Sequence, residues 1–183
     1  VYGQSKIESE NLIKDYAFDK GVKSICLRYF NPVGSHKEAI IVEDYSNKPS
    51  NLMPKLIEAV KSGKNIIDVY GKDYDTKDGT GERDYIHITD LVEGHIAAMD
   101  KVQKIENIDF FNLGTGQSTS VVELVSIFNK TNGFNIITNF VDRRKGDVAI
   151  CYSNPNKAHN ELNWIAKLNL ERMCKDAWEV VKK

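Results

Sequence analysis

Long apolar runs are missing from this sequence, and so is any excess of one charge. No stretch is apolar for long enough to cross a bilayer, and the amino terminus has no charged segment leading into an apolar one, so neither a membrane span nor a secretory leader is expected. Lys and Arg number 25 against 26 Asp and Glu, for a net charge of -1. With no basic stripe, nucleic acid and anionic membrane surfaces are not expected partners. Cysteine is scarce: Cys26, Cys151 and Cys174 are odd in number and lack a Cys-x-x-Cys spacing, which argues against a disulfide framework and a zinc site. His36, His87, His95 and His159 are equally scattered, so no metal is assigned. These absences describe a cytoplasmic protein held together by its core. With 183 residues, 41% of them hydrophobic, one real core is within reach, and the chain is slightly long for a single compact domain.

The rest of the chain is organised around residues 24–34, Ser-Ile-Cys-Leu-Arg-Tyr-Phe-Asn-Pro-Val-Gly. An apolar run closed by Pro32 and Gly34 predicts a buried parallel strand ending in a loop. Ligands bind beyond the carboxyl ends of such strands, so Tyr29, Phe30 and Asn31 sit where a ligand would. Before it, residues 5–17 read as an amphipathic helix with Ile7, Leu12, Ile13, Tyr16 and Ala17 on one face. A helix with no cap and no preceding strand, starting at Val1 rather than methionine, is expected to begin inside a larger protein. At its start Tyr2 and Lys6 are four residues apart and share a face, so a phenol and an ammonium can address one small molecule. A neighbouring cation favours phenolate, the form a tyrosine general base needs.

Farther along, residues 35–50, with His36, Lys37, Glu38, Glu43, Asp44, Asn47, Lys48 and Pro49, read as a long exposed loop. Asn51 and Leu52 then open a helix through Met53, Leu56, Ile57 and Val60, with Asn51 a candidate cap. Residues 65–71 predict a short strand on which Tyr70 could be a packed core aromatic. The carboxylates of residues 73–84 lack the ligand spacing of a calcium loop and read as a solvated turn that aims Arg83. A guanidinium offers a planar fork to phosphate oxygens, although Arg83 could instead form a surface ion pair with Asp84. A strand from Tyr85 precedes a helix starting at Thr89 or Asp90, with Leu91, Val92, Ala97, Ala98 and Met99 facing inward.

Phe110–Gly116 is a strand entering a glycine turn, and Gly114-x-Gly116-x-x-Thr119 misses the third glycine of the dinucleotide fingerprint. It reads as a structural turn, with Ser120 and Glu123 forming a capping box for a helix over 120–131. A β-rich run at 134–141 leads to Arg143, Arg144 and Asp147. A helix bearing Ala158 and Leu162 and a last amphipathic helix with Met173, Ala177, Val180 and Val181 follow, and Trp164 and Trp178 are expected in packing.

Several blocks recur in order: Tyr2 to Lys6 before a helix, Arg-Tyr-Phe-Asn-Pro-Val-Gly at 28–34, Ser-Asn-Leu-Met-Pro at 50–54, Val-Tyr-Gly-Lys-Asp-Tyr at 69–74 and Gly-Thr-Gly-Glu-Arg-Asp-Tyr-Ile-His at 79–87. Asn-Leu-Gly-Thr-Gly at 112–116, Arg-Arg-Lys-Gly-Asp at 143–147 and Glu-Leu-Asn-Trp at 161–164 complete them. Together they resemble the extended short-chain dehydrogenase/reductase family, and within it the enzymes that invert UDP-hexoses at C4. The resemblance implies an α/β chain: residues 1–34 the end of a Rossmann-like, dinucleotide-binding domain and 35–183 a smaller nucleotide-sugar domain, with 84–116 returning to the Rossmann side. It also implies NAD-dependent interconversion of UDP-glucose and UDP-galactose in galactose metabolism, in a homodimer. Tyr2 would be the base, Lys6 would hold the nicotinamide ribose and Phe30 would pack near the nicotinamide. Asn31, Asn51, Leu52, Asp68, Val69, Tyr70, Arg83, Tyr85, Arg144 and Asp147 would bind the UDP-sugar. Cys151, where relatives restricted to glucose and galactose carry tyrosine, would widen the hexose pocket toward N-acetylated sugars; the alternative is a small buried hydrophobe. A 4,6-dehydratase of the same family or a non-catalytic UDP-sugar-binding fragment are the other readings. Lacking the glycine-rich dinucleotide turn, the chain alone is expected to be inactive.

Overall fold

The computed structural model describes residues 2–36, 38 and 51–182, so most of the loop expected at 35–50 lies outside the described residues. Helices and strands alternate in the order α1 (Tyr2–Lys20), β1 (Ser24–Tyr29), β2 (Asn31–Val33), α2 (Leu52–Lys61), β3 (Ile66–Tyr70), β4 (Glu82–Arg83), β5 (Tyr85–His87) and α3 (Ile88–Val102). Then come β6 (Ile108–Leu113), β7 (Thr119–Ser120), α4 (Val121–Asn132), β8 (Ile137–Val141), β9 (Ile150–Cys151), α5 (Asn156–Leu162) and α6 (Leu170–Glu179). No described helix is long and apolar enough to cross a membrane.

Pairing is mainly parallel, which requires crossover connections, and the helices supply them. β1 runs beside β6 from Ser24↔Ile108 to Tyr29↔Leu113, and β2 beside β5 from Asn31↔Tyr85 to Val33↔His87. β3 pairs with β8 from Ile66↔Ile137 to Tyr70↔Val141. β4 lies between antiparallel β7 and parallel β9. The α/β class expected from the sequence is therefore the class found.

Two cores lie on either side of β5. Tyr85 joins a cluster in which Leu56 and Ile57 of α2, Val69 of β3, Leu124 and Phe128 of α4 and Met173 of α6 are buried. Ile86, one residue on, joins Leu91 of α3, Phe111 and Leu113 of β6, Leu162 of α5 and Trp164. Successive strand residues face opposite ways, so β5 is shared by both cores. The Trp164 indole Nε1 donates to the Asp90 carbonyl at 2.9 Å, and Trp178 meets Phe134 edge-on with centroids 4.8 Å apart.

Several local expectations are corrected. Residues 31–33 form β2 rather than a loop, because parallel β5 offers them a ladder and the Asn31 amide donates to the Asp84 carbonyl at 2.9 Å. β1 is half-buried along its first four residues and exposed at Arg28 and Tyr29, not buried throughout. In α1 only Ala17 is buried; Leu12 is 70% exposed, and Ile7, Ile13 and Tyr16 are exposed with it. α3 begins at Ile88, capped by the His87 ring, which accepts from the Thr89 amide at 3.0 Å. Its inward stripe is Asp90, Leu91, Gly94 and Ala98, leaving Val92 and Met99 exposed. A Cβ on Gly94 would come within 2.8 Å of Leu113, so glycine is what lets the helix approach β6 so closely. Asn51 occupies the N-cap position of α2, yet its side chain makes no cap hydrogen bond.

Candidate functional site

The glycine turn after β6 is built around one buried carboxylate. Asp84 is wholly buried and accepts from the Thr115 amide at 2.9 Å, the Thr115 hydroxyl at 2.5 Å and the Gly116 amide at 3.0 Å. The Ser153 amide and hydroxyl add bonds at 3.1 and 2.6 Å. The amides that a phosphate cradle would present are thus already donated inward. A Cβ on Gly114 would lie 2.6 Å from Asp84 Oδ2, so no side chain fits there. The turn is structural, and the surface ion pair between Arg83 and Asp84 does not form, because Asp84 points into this interior network. Sequence reading missed Asp84 and Ser153 as a unit; their contacts span 69 residues, and no spacing rule reaches so far.

What Asp84 anchors is the strand segment carrying Arg83. On β4, Arg83 lies in register with Cys151 of β9 and Thr119 of β7. Its Nη1 donates to the carbonyls of Glu82 at 2.8 Å and Val148 at 2.9 Å, while Nη2 stands 3.8 Å from an Asp147 oxygen. The guanidinium is held by backbone carbonyls and stays partly open. The Asp147 amide donates to the Arg144 carbonyl at 3.3 Å, which folds the segment back on itself.

The second feature lies where the carboxyl ends of β3 and β8 meet. Arg144 Cζ stands 3.8 Å from the Tyr70 ring centroid and Lys55 Nζ 5.2 Å from the same ring. Tyr70 is half-buried beneath these cations and is not part of the core cluster, contrary to the core-aromatic reading. Arg143 turns elsewhere: its Nε reaches Asp73 Oδ1 at 2.6 Å and its guanidinium stacks on Tyr74 at 4.1 Å. That neighbour holds the Asp73 carboxyl below the usual carboxylate range.

The remaining residues are distributed as follows. Asp68 is exposed and accepts from Asn139 Nδ2 at 2.8 Å, whereas Val69 is buried in the core beneath it. Leu52 packs against the same core and Asn51 is exposed. Tyr85 is only 4% exposed, and burial pushes its hydroxyl up to about 12, so it stays neutral at physiological pH. Cys151 is exposed, which overturns its reading as a small buried hydrophobe. Asn31 is exposed on β2 and Phe30 is half-buried between β1 and β2. Tyr2 and Lys6 lie on the first turns of α1, with Lys6 Nζ 5.2 Å from the Tyr2 ring centroid. Among the described residues, no hydrogen bond, ion pair or stacking contact joins them to the Arg83–Arg144 group.

The described chain is thus a mainly parallel α/β scaffold that carries a partly open arginine, a cation-stacked aromatic and, apart from them, a tyrosine–lysine helix face. The sequence profile of the NAD dependent epimerase/dehydratase family matches residues 1–114, and the chain belongs to that family. It is similar to UDP-glucose 4-epimerase from Pongo abelii, 47% identical over 97% of this chain and 51% of that protein. The crystal structure of the UDP-glucose 4-epimerase from Bifidobacterium longum with NAD+ and UDP superposes with a TM-score of 0.91 at 38% identity, covering 99% of this chain and 54% of that one. That of the Stenotrophomonas maltophila enzyme with NAD and formylated UDP-arabinopyranose gives 0.91 at 40% identity, covering 98% and 54%. The chain therefore spans about half the length of the relatives it matches.

Proposed function

We propose that this chain is the substrate-binding part of a UDP-glucose 4-epimerase that interconverts UDP-glucose and UDP-galactose at sugar C4. The convergence of Arg83, Asp147, Arg144 and Tyr70 beyond the strand ends carries this reading. It presents a guanidinium for a diphosphate, an aromatic face for a base and a carboxylate for ribose hydroxyls, with Cys151 in register beside Arg83. Asn31, Asn51, Leu52 and Asp68 contribute to the same UDP-sugar site; Val69 and Tyr85, both buried, shape it from beneath. Relatives crystallised with UDP and NAD support the substrate and cofactor assigned.

The residues present fit the nicotinamide end of NAD. The Tyr2 phenol and Lys6 ammonium offer donors from one helix face, and the Phe30 ring lies at the end of β1; the Gly114–Gly116 turn, its amides bonded to Asp84, does not fit the pyrophosphate. Bound NAD supplies the two-electron acceptor and donor for C4. Tyr2 takes the proton of the sugar 4-hydroxyl and gives it back to that oxygen once the 4-keto sugar has presented its other face, while Lys6, four residues on along the same helix face, would hold the nicotinamide ribose. Arg83, Arg144 and Asp147 grip the UDP far from the reacting carbon, so affinity does not depend on which face of the hexose is presented. Residues 1–34 belong with the dinucleotide-binding domain and 35–183 with the nucleotide-sugar domain, with 84–116 returning through β5 and β6 to β2 and β1. The exposed apolar face of α1 fits burial in a homodimer. The small side chain at Cys151 leaves room for an acetamido group. The test is epimerisation of UDP-galactose by the full-length protein carrying NAD. Absence of turnover, or conversion to a 4-keto-6-deoxy sugar, would reject the assignment, the latter in favour of a dehydratase.

A further inference from the structure

Lys55 is placed where local electrostatics disfavour a cation. It lies in the first turn of α2, a turn with no acidic residue, at the end of the helix whose dipole repels positive charge. Its ammonium approaches the ring already covered by the Arg144 guanidinium, at 5.2 and 3.8 Å from the Tyr70 centroid respectively. Neither cation has a carboxylate partner among the described residues. Contact with an aromatic ring is the one attraction shown for the Lys55 ammonium, and at this distance it is a modest one. A cation at the positive end of a helix, met by no carboxylate among the described residues, departs from the local rules as functional positions do, and a ligand of opposite charge would compensate it.

We infer that Lys55 is a third cationic ligand of the nucleoside diphosphate, closing over the phosphates from α2 while Arg83 and Arg144 hold them from β4 and the segment after β8. This rests on the reading of the Tyr70–Arg144–Arg83 group as the UDP site and extends it to a side chain that the motif blocks do not assign. Arg144 is the nearer of the two cations to the ring. Lys55, farther off on a flexible four-carbon stem, is free to turn its ammonium from the ring to a phosphate oxygen. Because it is a point charge on the phosphate, its effect follows ligand charge and is screened by salt.

The test is calorimetric titration of the full-length protein with UDP and with uridine, in the parent, Lys55→Met and Lys55→Arg, at two salt concentrations. Lys55→Met should weaken UDP about tenfold, the size of one charge-assisted hydrogen bond, leave uridine within twofold and flatten the salt dependence of UDP binding. Lys55→Arg should stay within about threefold of the parent. The melting temperature of Lys55→Met should not fall, since an uncompensated cation leaves the first turn of a helix. UDP binding within twofold of the parent in Lys55→Met, or an equal loss for uridine, would overturn the inference. Tyr70→Ala and Arg144→Gln separate the two levels. If they weaken UDP while Lys55→Met does not, only the role of Lys55 fails; if neither matters, the site itself has been misread.

Discussion

Replacing Asp84 by alanine should cost more stability than any other single change in the candidate site. The carboxylate accepts from three backbone amides, those of Thr115, Gly116 and Ser153, and from two hydroxyls. The hydroxyls can rotate toward other acceptors, but the amides are fixed by the turn. Each buried amide left without a partner costs about 1–3 kcal/mol. Three of them, taken near the lower half of that range, give about 4 kcal/mol, at the upper end for a point mutation and a large share of a typical total of about 5–15 kcal/mol. Asp84→Asn keeps one acceptor oxygen and turns an amino group toward the donors, so about 2 kcal/mol is expected. The assay is urea unfolding of the full-length protein followed by circular dichroism, with UDP titration at low denaturant. Affinity should fall along with stability, because Arg83 and Cys151 keep their register through the strands that Asp84 ties together. A loss below about 1 kcal/mol for Asp84→Ala, or an asparagine variant as stable as the parent, would refute the role of this network.

Tyr2→Phe in the full-length protein should lower kcat by more than the usual 10²- to 10⁴-fold share of acid/base catalysis, since the same proton must leave and return; a loss under tenfold in a stopped assay would remove Tyr2 from the reaction. Arg83→Lys should weaken UDP severalfold, because a point charge cannot reproduce the planar fork, and calorimetry giving equal affinity would refute this. The parent should turn over UDP-N-acetylglucosamine and Cys151→Tyr should not; turnover by both variants, or by neither, would reject the pocket gate. Burial, outweighing the nearby Asp176, pushes the His87 imidazole below its ordinary value. The unfolded chain therefore binds that proton first, so the contribution is intact above about pH 6.5 and is lost as the pH falls below it. His87→Asn, which keeps a cap for α3, should flatten the decline in melting temperature between pH 7 and 5.5 measured by calorimetry, and an unchanged slope would assign the decline to other groups.

Much of the architecture was legible because it is local. The apolar spacing of α2 and α6 reports which face is buried, and Ser120 caps α4 by accepting from the Glu123 amide at 3.0 Å, a bond spanning three residues. The failure of the glycine turn to match a dinucleotide fingerprint was also visible in the residues. Other features depended on partners distant in the chain. The spacing of α1 describes an apolar stripe, but only neighbouring elements decide whether such a stripe is covered, and here Leu12 and Tyr16 are exposed. Tyr70 and Tyr85 are both aromatics in or at strands. One stands at a strand end beside two cations and the other is sealed inside one of the two cores, because β3 and β5 have different neighbours. Asp84 beside Arg83 looks like half of a surface ion pair. Only the approach of Thr115 and Ser153, 31 and 69 residues away, turns it into a buried acceptor. Periodicity and capping depend on residues within a turn or two and can be read along the chain; burial and partner choice depend on which distant segments the fold brings together.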